Sequence, residues 1–456
     1  MKKLAVVICN YNKKDYLLKC IDSVLESSYK DLDVYVVDNA SKDGSSDSVR
    51  ENFSKKVILI NNKQNLGGSG GFNTGIKEAL KKKYKYIMLL DNDVIIEKSA
   101  IENSFNYLER NLNTAVVGSK IYSMDNKDKI QEMGARIDFE NFYINPLYKG
   151  YTDSRNFPEV VQCDYVPACS MMIRMEALKK VGIMDEGNFI YWDDIDFGYR
   201  FKMKGYKVSV YSKSVVWHKM GVAQRINTFG TYYFWRNRIN FFIKYIEKDK
   251  IERFSFKIFD EVMQAVYSCN YIGKYNSAIT ILTAVDDAIN NVRGKADENK
   301  ILELEKIEDR FEKIIKDKKN IVLLSNVSIE ILRNTIEKIN NLNCTGKLSI
   351  ACSNIKEIKE QFKGYEVLDL EKVNFKDYET SIKLCNHIFD VRNNMKKDIV
   401  YTDRFFNVIS SESDREYVSN YDCTYNLLKR TWYPVFKSKI KMLNDKLSQY
   451  ENQKNK

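Results

Sequence analysis

The chain has 456 residues, 44% of them hydrophobic and 30% charged, which is the balance of a soluble globular protein with two to four folding units at roughly 150 residues each. The net charge of +11, from 73 Lys and Arg against 62 Asp and Glu, is spread without a long single-sign block; it fits an anionic substrate or a membrane surface, and equally fits plain solubility, with no nucleic-acid partner expected. Nine cysteines, an odd number with no CxxC pair, argue against a disulfide framework or a structural zinc site and for a reduced, cytoplasmic setting.

The start, MKKLAVVICNYN, has the charge of a signal peptide, but Asn10 cuts its apolar run short of the ~7–15 residues needed, so residues 4 to 8 read as a first strand. No run reaches the ~18 apolar residues of a membrane span. Further β-rich runs at 33 to 37, 57 to 60 and 86 to 90 alternate with helical spacing such as Tyr16, Leu17, Ile21, Val24 and Leu25, the pattern of βαβ units and a mostly parallel sheet. Ligands of such sheets sit beyond the carboxyl ends of the strands, where Asn10, Asp38 and Asp91 fall.

From 114 to 173, AVVGSKIY, EMGARIDF and VPACSMMIRM predict an added mixed sheet, followed by a helix over 174 to 185 that ends in a glycine turn. Residues 228 to 318 read as helical, first aromatic and basic (TYYFWRNRINFFIKY), then charged (KADENKILELEKIEDRFEKIIKDKK). The first part could lie on a membrane, with Trp235, Phe241 and Phe242 inserted and Arg236, Arg238 and Lys244 toward headgroups, or it could pack on the domain before it. IVLLS at 321, KLSIACS at 347, VLDL at 367 and IVYTD at 399 resume the βα alternation, and 430 to 452 reads as a surface helix. The expected division is 1–227, 228–318 and 319–456.

Two carboxylates, Asp91 and Asp93, end the apolar run YIMLLDND with one residue between them. On an extended backbone the middle side chain turns away, which leaves both carboxylates free to hold Mg²⁺ or Mn²⁺ against phosphate oxygens. Asp38, in VVDNASKDGS, can accept hydrogen bonds from a base or a ribose, or it can close an Asx-turn. NLGGSGGFNTG, which matches neither a dinucleotide nor a Walker A register, gives a backbone able to approach a sugar or phosphate. YWDDIDFGYR supplies Asp193, Asp194 and Asp196 beside two rings, Tyr191 and Trp192, suited to a sugar face; clustered carboxylates raise one another's pKa toward a useful range for a base. His218, one of two histidines, follows SVVW and is a fair Mn²⁺ ligand, whereas His387 has no such context.

These motifs, in this order and closed by GIMDEGNFIYWDDIDFGYR and VVWHKM, resemble family 2 inverting glycosyltransferases of the GT-A fold, above all the bacterial rhamnosyl- and galactofuranosyltransferase-like branch. The resemblance covers roughly the first 300 residues and extends to AVDDAINNVRGK. It implies an α/β GT-A domain, a helical extension and a smaller α/β C-terminal domain outside the match. It also implies Asp93 as the direct metal ligand, Asp91 on ribose or metal, His218 on metal, Asp194 as general base and Asp193 orienting hydroxyls. Donor contacts would come from Asn10, Asn12, Asp38, Asn65, Gly67, Gly68, Gly71, Asp91 and Trp192, with Asp196 pairing to Arg200. The partners so implied are a UDP- or dTDP-sugar and a glycan or polyprenyl-linked acceptor, with peripheral contact at the inner membrane face and a homo-oligomer as further options. A sugar nucleotidyltransferase, or a non-catalytic glycan-binding scaffold, is the rival; the first would carry a basic glycine loop where CNYNKKDYL stands. The C-terminal domain has no phosphate loop, and acceptor positioning or oligomerisation is its expected role.

Overall fold

In the computed structural model, LAVVICN forms β1 (Leu4–Asn10), flanked in parallel by β2 (Leu32–Asp38) and β4 (Tyr86–Asp91), with β3 (Ile58–Asn61) beyond β2. The residues described are 2–152, 157–219, 226–342 and 346–454, and counts below refer to them. These strands are apolar on both faces because both are covered. On one side α1 (Lys14–Leu25) sets Leu17, Cys20, Ile21 and Val24 against Val6, Ile8 and Val36, joined by α2 (Ser45–Phe53); on the other, α3 (Gly67–Leu80) packs Phe72, Ile76 and Ala79 on Val7 and Val37. Gly75 permits that contact, since a Cβ there would lie 2.3 Å from Val7.

After β4 come β5 (Val94–Ile96), α4 (Ala100–Arg110) and β6 (Thr114–Ser123), then the short strands β7 (Ile130–Glu132), β8 (Ala135–Asp138), β9 (Tyr143–Pro146) and β10 (Val160–Cys163). The chain continues through β11 (Ser170–Arg174), α5 (Met175–Val181), α6 (Asp193–Met203) and β12 (Lys207–His218). The sheet runs β10-β12-β6-β11-β4-β1-β2-β3, with β5 on β12 and β7 on β6. Because β11 is antiparallel to β4 and β6 while β12 is parallel to β6, the sheet is mixed, the GT-A-like arrangement that the motifs led one to expect.

α7 (Phe229–Tyr245) follows, and it is not a membrane-surface helix: Phe241, Phe242, Arg236 and Arg238 are all buried, and Lys244 is paired with Asp196 at 2.9 Å. Its cations are consumed by carbonyls and a carboxylate inside the fold. α8 (Ile251–Tyr271) and α9 (Tyr275–Ile289) are helical as expected, but the charged run 295–319 is largely irregular and holds only a single turn at Glu298–Lys300 and α10 (Arg310–Ile315). Its apolar residues are too few at helical spacing to bury a face.

Two compact units result, one of Met1–Lys257, Thr283–Leu302 and Lys439–Lys456, the other of Ile258–Leu282 and Glu303–Ser438. The second contains β13 (Asn320–Ser325), α11 (Ile329–Asn341), β14 (Lys347–Cys352), α12 (Ile355–Gln361), β15 (Glu366–Asp369), β16 (Thr380–Cys385), β17 (Val400–Asp403) and β18 (Val408–Ile409). Its sheet order is β15-β14-β13-β16-β17-β18. The central strand β16, TSIKLC, escapes a reading by apolar runs because Lys383 interrupts it. α13 (Glu412–Ser419), α14 (Tyr421–Thr431) and α15 (Tyr433–Lys454) end the chain. Among the described residues, no helix is long and apolar enough to cross a membrane.

Candidate active site

Register brings the strand ends together: Asn10 lies opposite Asp38, and Cys9 opposite Asp91, so the carboxyl ends of β2, β1 and β4 stand side by side. Asn10, fully buried, donates to Asp38 Oδ1 at 2.9 Å and to Ser41 Oγ at 3.1 Å, and accepts from Asn92 Nδ2 at 2.6 Å. Asn92 thus turns inward; Asn92 and Asp93 form the turn between β4 and β5 and not a continued strand, so it is this turn, not strand alternation, that brings Asp93 beside Asp91. Asp38 Oδ2 accepts from Ser41 N at 3.0 Å, closing the loop onto the amide three residues on. Asn12, at φ +51°, accepts from Lys42 N, and Asn65 accepts from Asn39 Nδ2 and Gly67 N; both side chains tie loops together.

His218 arrives by strand pairing. β12 runs antiparallel to β5 with His218 opposite Val94, and Lys219 N donates to Asp93 O at 3.1 Å, which sets the imidazole beside the two carboxylates. Nε2 lies 3.3 Å from Asp93 Oδ1 and 3.9 Å from Asp91 Oδ2, and one ligand atom from each of the three lies within 4.8 Å of the others. Two carboxylate oxygens and one imidazole nitrogen suit Mn²⁺ or Mg²⁺. The other ring nitrogen, Nδ1, lies 2.8 Å from the Gln131 carboxamide; for Nε2 to ligate a metal, Nδ1 must carry the proton and donate it to that group's oxygen, with the amide turned over. Lys13 Nζ, 2.5 Å from Asp93 Oδ2, is a second positive group at the cluster that sequence reasoning missed.

Protonation follows from burial and these neighbours. Burial pushes the Asp91 carboxyl up to about 6, and the Asp93 charge adds to it. At Asp93 burial acts upward too, but the hydrogen bond from His218 and the Lys13 charge outweigh it and hold the group below the usual carboxylate range. For His218 burial acts downward, yet Asp93 and Asp91 raise it above an ordinary imidazole. A cation binding here must displace that proton.

The facing carboxylates lead α6. Burial, then Asp194, drives Asp193 well up; burial raises Asp194 to about 6 against the pull of the Ala168 and Ile195 amides, Ile195 N donating at 2.9 Å. Asp193 also feels the Asp91 charge, and Asp91 that of Asp194. Gly68 opens α3 next to Asp193, where a Cβ would lie 3.2 Å from its Oδ2. Glu132 on β7 is a further carboxyl with no sequence signal, raised to about 7 by burial and then by Asp194. Asp196 behaves as read, bonded to Arg200 Nε at 2.9 Å and also to Lys244 and Tyr245.

Two assignments are corrected. The Trp192 ring is buried among Phe234, Phe241 and Phe242 at centroid distances of 5.4–6.4 Å and offers no face to a sugar; Tyr191, 47% exposed, is the open ring of the pair. Gly71 lies in the helix–strand contact, where a Cβ would meet Cys9 Sγ at 2.3 Å, and is a packing glycine. Gly67, at φ +75°, admits the Phe189 carbonyl, which would lie 2.1 Å from a Cβ.

Residues 5–182 match the sequence model described as Glycosyl transferase family 2. An uncharacterized glycosyltransferase of Rickettsia felis is 29% identical over 160 residues, 35% of this chain and 24% of that protein. A UDP-Glc:alpha-D-GlcNAc-diphosphoundecaprenol beta-1,3-glucosyltransferase of Escherichia coli is 28% identical over 109 residues, 24% of this chain and 42% of its own length. The chain therefore spans well under two thirds of both relatives. Among solved structures, a mannosyltransferase from Pyrobaculum calidifontis in complex with GDP-Man and Mn²⁺ superposes with a TM-score of 0.38 at 15% identity, over 53% of this chain and 63% of that one.

Proposed function

We propose that the chain is an inverting glycosyltransferase that moves a sugar from a UDP- or dTDP-sugar to a hydroxyl of a cell-surface glycan or its lipid-linked precursor. The observation that carries this reading is the pairing of two unlike acidic groups in one crevice: Asp91 and Asp93 gathered by His218, and Asp193 with Asp194 across from them. Asp91, Asp93 and His218 would hold Mn²⁺ or Mg²⁺, which neutralises charge growing on a departing nucleoside diphosphate.

Lys13 adds a fixed positive charge on the same side. The Gly68 amide in the first turn of α3 would give a donor to a phosphate or sugar oxygen, with Asn10, Asp38 and the loops tied by Asn12 and Asn65 framing the nucleoside. Asp194, poised at about 6, is ionised at neutral pH and takes the proton of the attacking hydroxyl, while Asp193 orients hydroxyls and Tyr191 gives the acceptor a ring to lie on. One base with no second nucleophile favours single displacement and hence inversion. The motif order of the rhamnosyl- and galactofuranosyl-transferring branch narrows the donor to dTDP- or UDP-linked sugars. In this reading residues 1–227 hold the chemistry, 228–318 brace it, and 319–456 position the acceptor or join copies.

The test is nucleotide release from a panel of UDP- and dTDP-sugars with Mn²⁺ or Mg²⁺ and a lipid-diphosphate-linked sugar acceptor. Metal-dependent release that falls by ~10²–10⁴ in Asp194→Asn is expected. Turnover unaffected by that substitution would remove Asp194 from the base role, and no release from any donor would refute transfer.

A further inference from the structure

The backbone that delivers Asp193 and Asp194 is strained at three bulky residues. Phe189, Tyr191 and Trp192 have φ of +64°, +60° and +64°, a region that side chains with a Cβ disfavour. Phe189 combines that φ with ψ −59°, and Ile190 N bonds back to Asn188 O at 2.8 Å, which is a γ-turn of the rare positive-φ kind. Such a turn persists only where its surroundings over-determine it.

Those surroundings are explicit. Every carbonyl from Gly187 to Tyr191 has a donor. Asn237, fully buried on α7, holds its amide NH₂ 2.8 Å from the Asn188 and Ile190 carbonyls and 2.9 Å from that of Tyr191. Arg236, equally buried, gives Nη2 to Gly187 O at 3.4 Å and Asn188 O at 3.1 Å, and Nη1 to Gly294 O at 2.7 Å, its guanidinium resting on the Tyr232 and Tyr233 rings. Ser69 of α3 donates its amide and hydroxyl to Phe189 O. From outside, Arg293 binds Asp185 at 2.8 Å and Asn188 at 2.9 Å, and Gly294 N donates to Gly187 O at 2.6 Å. The run AVDDAINNVRGK, otherwise without chemistry, is thus the outer layer of a clamp.

We propose that Asn237, backed by Arg236, is a positioning residue for the base: by bonding the carbonyls of Asn188, Ile190 and Tyr191 it holds Phe189, Tyr191 and Trp192 at positive φ, so that α6 starts with Asp193 and Asp194 directed into the crevice. Asn237→Ala removes these bonds at once while leaving Asp91, Asp93 and His218 with their own contacts. The turn then relaxes toward ordinary φ values and swings the first residues of α6, and the acidic pair loses its aim before the fold is lost. The inference deepens the glycosyltransfer reading, but its structural half stands apart from it.

The experiment is hydrogen exchange of the full chain, wild type against Asn237→Ala, together with thermal shift by UDP plus Mn²⁺ and nucleotide release at saturating donor. We expect exchange at residues 188 to 196 to accelerate by ~10-fold or more with the rest of the first unit unchanged. The UDP–Mn²⁺ shift should stay within error, and turnover should fall by ~10-fold or more without a matching rise in donor KM. Asn237→Ser, which keeps one donor, should lie between the two and serves if the alanine variant does not fold. Unchanged exchange at 188 to 196, or acceleration spread evenly over the chain, would overturn the proposal. Wild-type protein that releases no nucleotide would sink glycosyltransfer, and the local exchange result would still decide the role of Asn237.

Discussion

Both units of the molecule are parallel-rich sheets with acids and a histidine at the carboxyl ends of their strands, yet they use them in opposite ways. In the second, Asp403 ends β17 and accepts from Ile388 N, Phe405 N, Asn407 N and Asn407 Nδ2, so its charge is spent on closing a loop. His387 accepts from Phe389 N at Nδ1 and meets Ser268 Oγ at Nε2, so neither nitrogen is left for a ligand. In the first unit His218 turns one nitrogen toward both Asp91 and Asp93. A strand-end carboxylate becomes a functional group when the fold leaves its oxygens short of donors, and a structural one when it does not.

That contrast can be broken by substitution. The largest effect is expected for Asp93→Asn, which leaves His218 and Lys13 without their shared acid; metal-dependent turnover should fall by ~10²-fold or more, while Asp403→Asn should leave it alone and lower the melting temperature instead, as loss of an acceptor for buried amides costs about 1–3 kcal/mol. Equal loss of turnover in both would erase the distinction.

A pH series sharpens it next. Because burial lifts the folded-state pKa of Asp194 from the ordinary 3.8 to about 6, the folded protein holds that proton more tightly than the unfolded chain, and the group's ionisation removes stability as pH rises through that window. Asp194→Asn should therefore raise the melting temperature relative to wild type above pH 6, with the gain fading toward pH 4, while turnover is lost. A melting difference independent of pH would mean that Asp194 is not held up by burial.

A smaller effect separates the neighbouring rings. Tyr191→Ala should raise acceptor KM several-fold with the melting temperature nearly unchanged, whereas Trp192→Ala, which empties a buried site, should destabilise by about 3–5 kcal/mol. The reverse pattern would return Trp192 to the sugar-binding surface.

The sequence made the first sheet readable because apolar runs end in chemistry-bearing residues: Asn10, Asp38 and Asp91 are side by side as their strand-end positions require. His218 was legible only through its WH context, since its approach to Asp93 depends on a long-range β5–β12 pairing that no local pattern encodes. Lys13, Gln131 and Glu132 carried no signal for the same reason. Trp192 misled because a left-handed backbone turns its ring into the core, and Arg236 and Arg238 read as surface cations because nothing in a helix's composition reveals that carbonyl oxygens will neutralise them. In the second unit the polar-interrupted β16 was missed, although it is the strand that joins the two halves of the sheet.

Central to the proposed reaction is the separation of the two acidic groups, Asp91 and Asp93 for a metal and Asp193 and Asp194 for a base. Mn²⁺ binding to the full chain, followed by electron paramagnetic resonance in the presence of UDP at pH 7.5, tests this most directly. One bound Mn²⁺ per chain is predicted for wild type and for Asp194→Asn, with binding lost in Asp93→Asn and in His218→Ala. Mn²⁺ retained by both of the latter, or lost in Asp194→Asn, would contradict it.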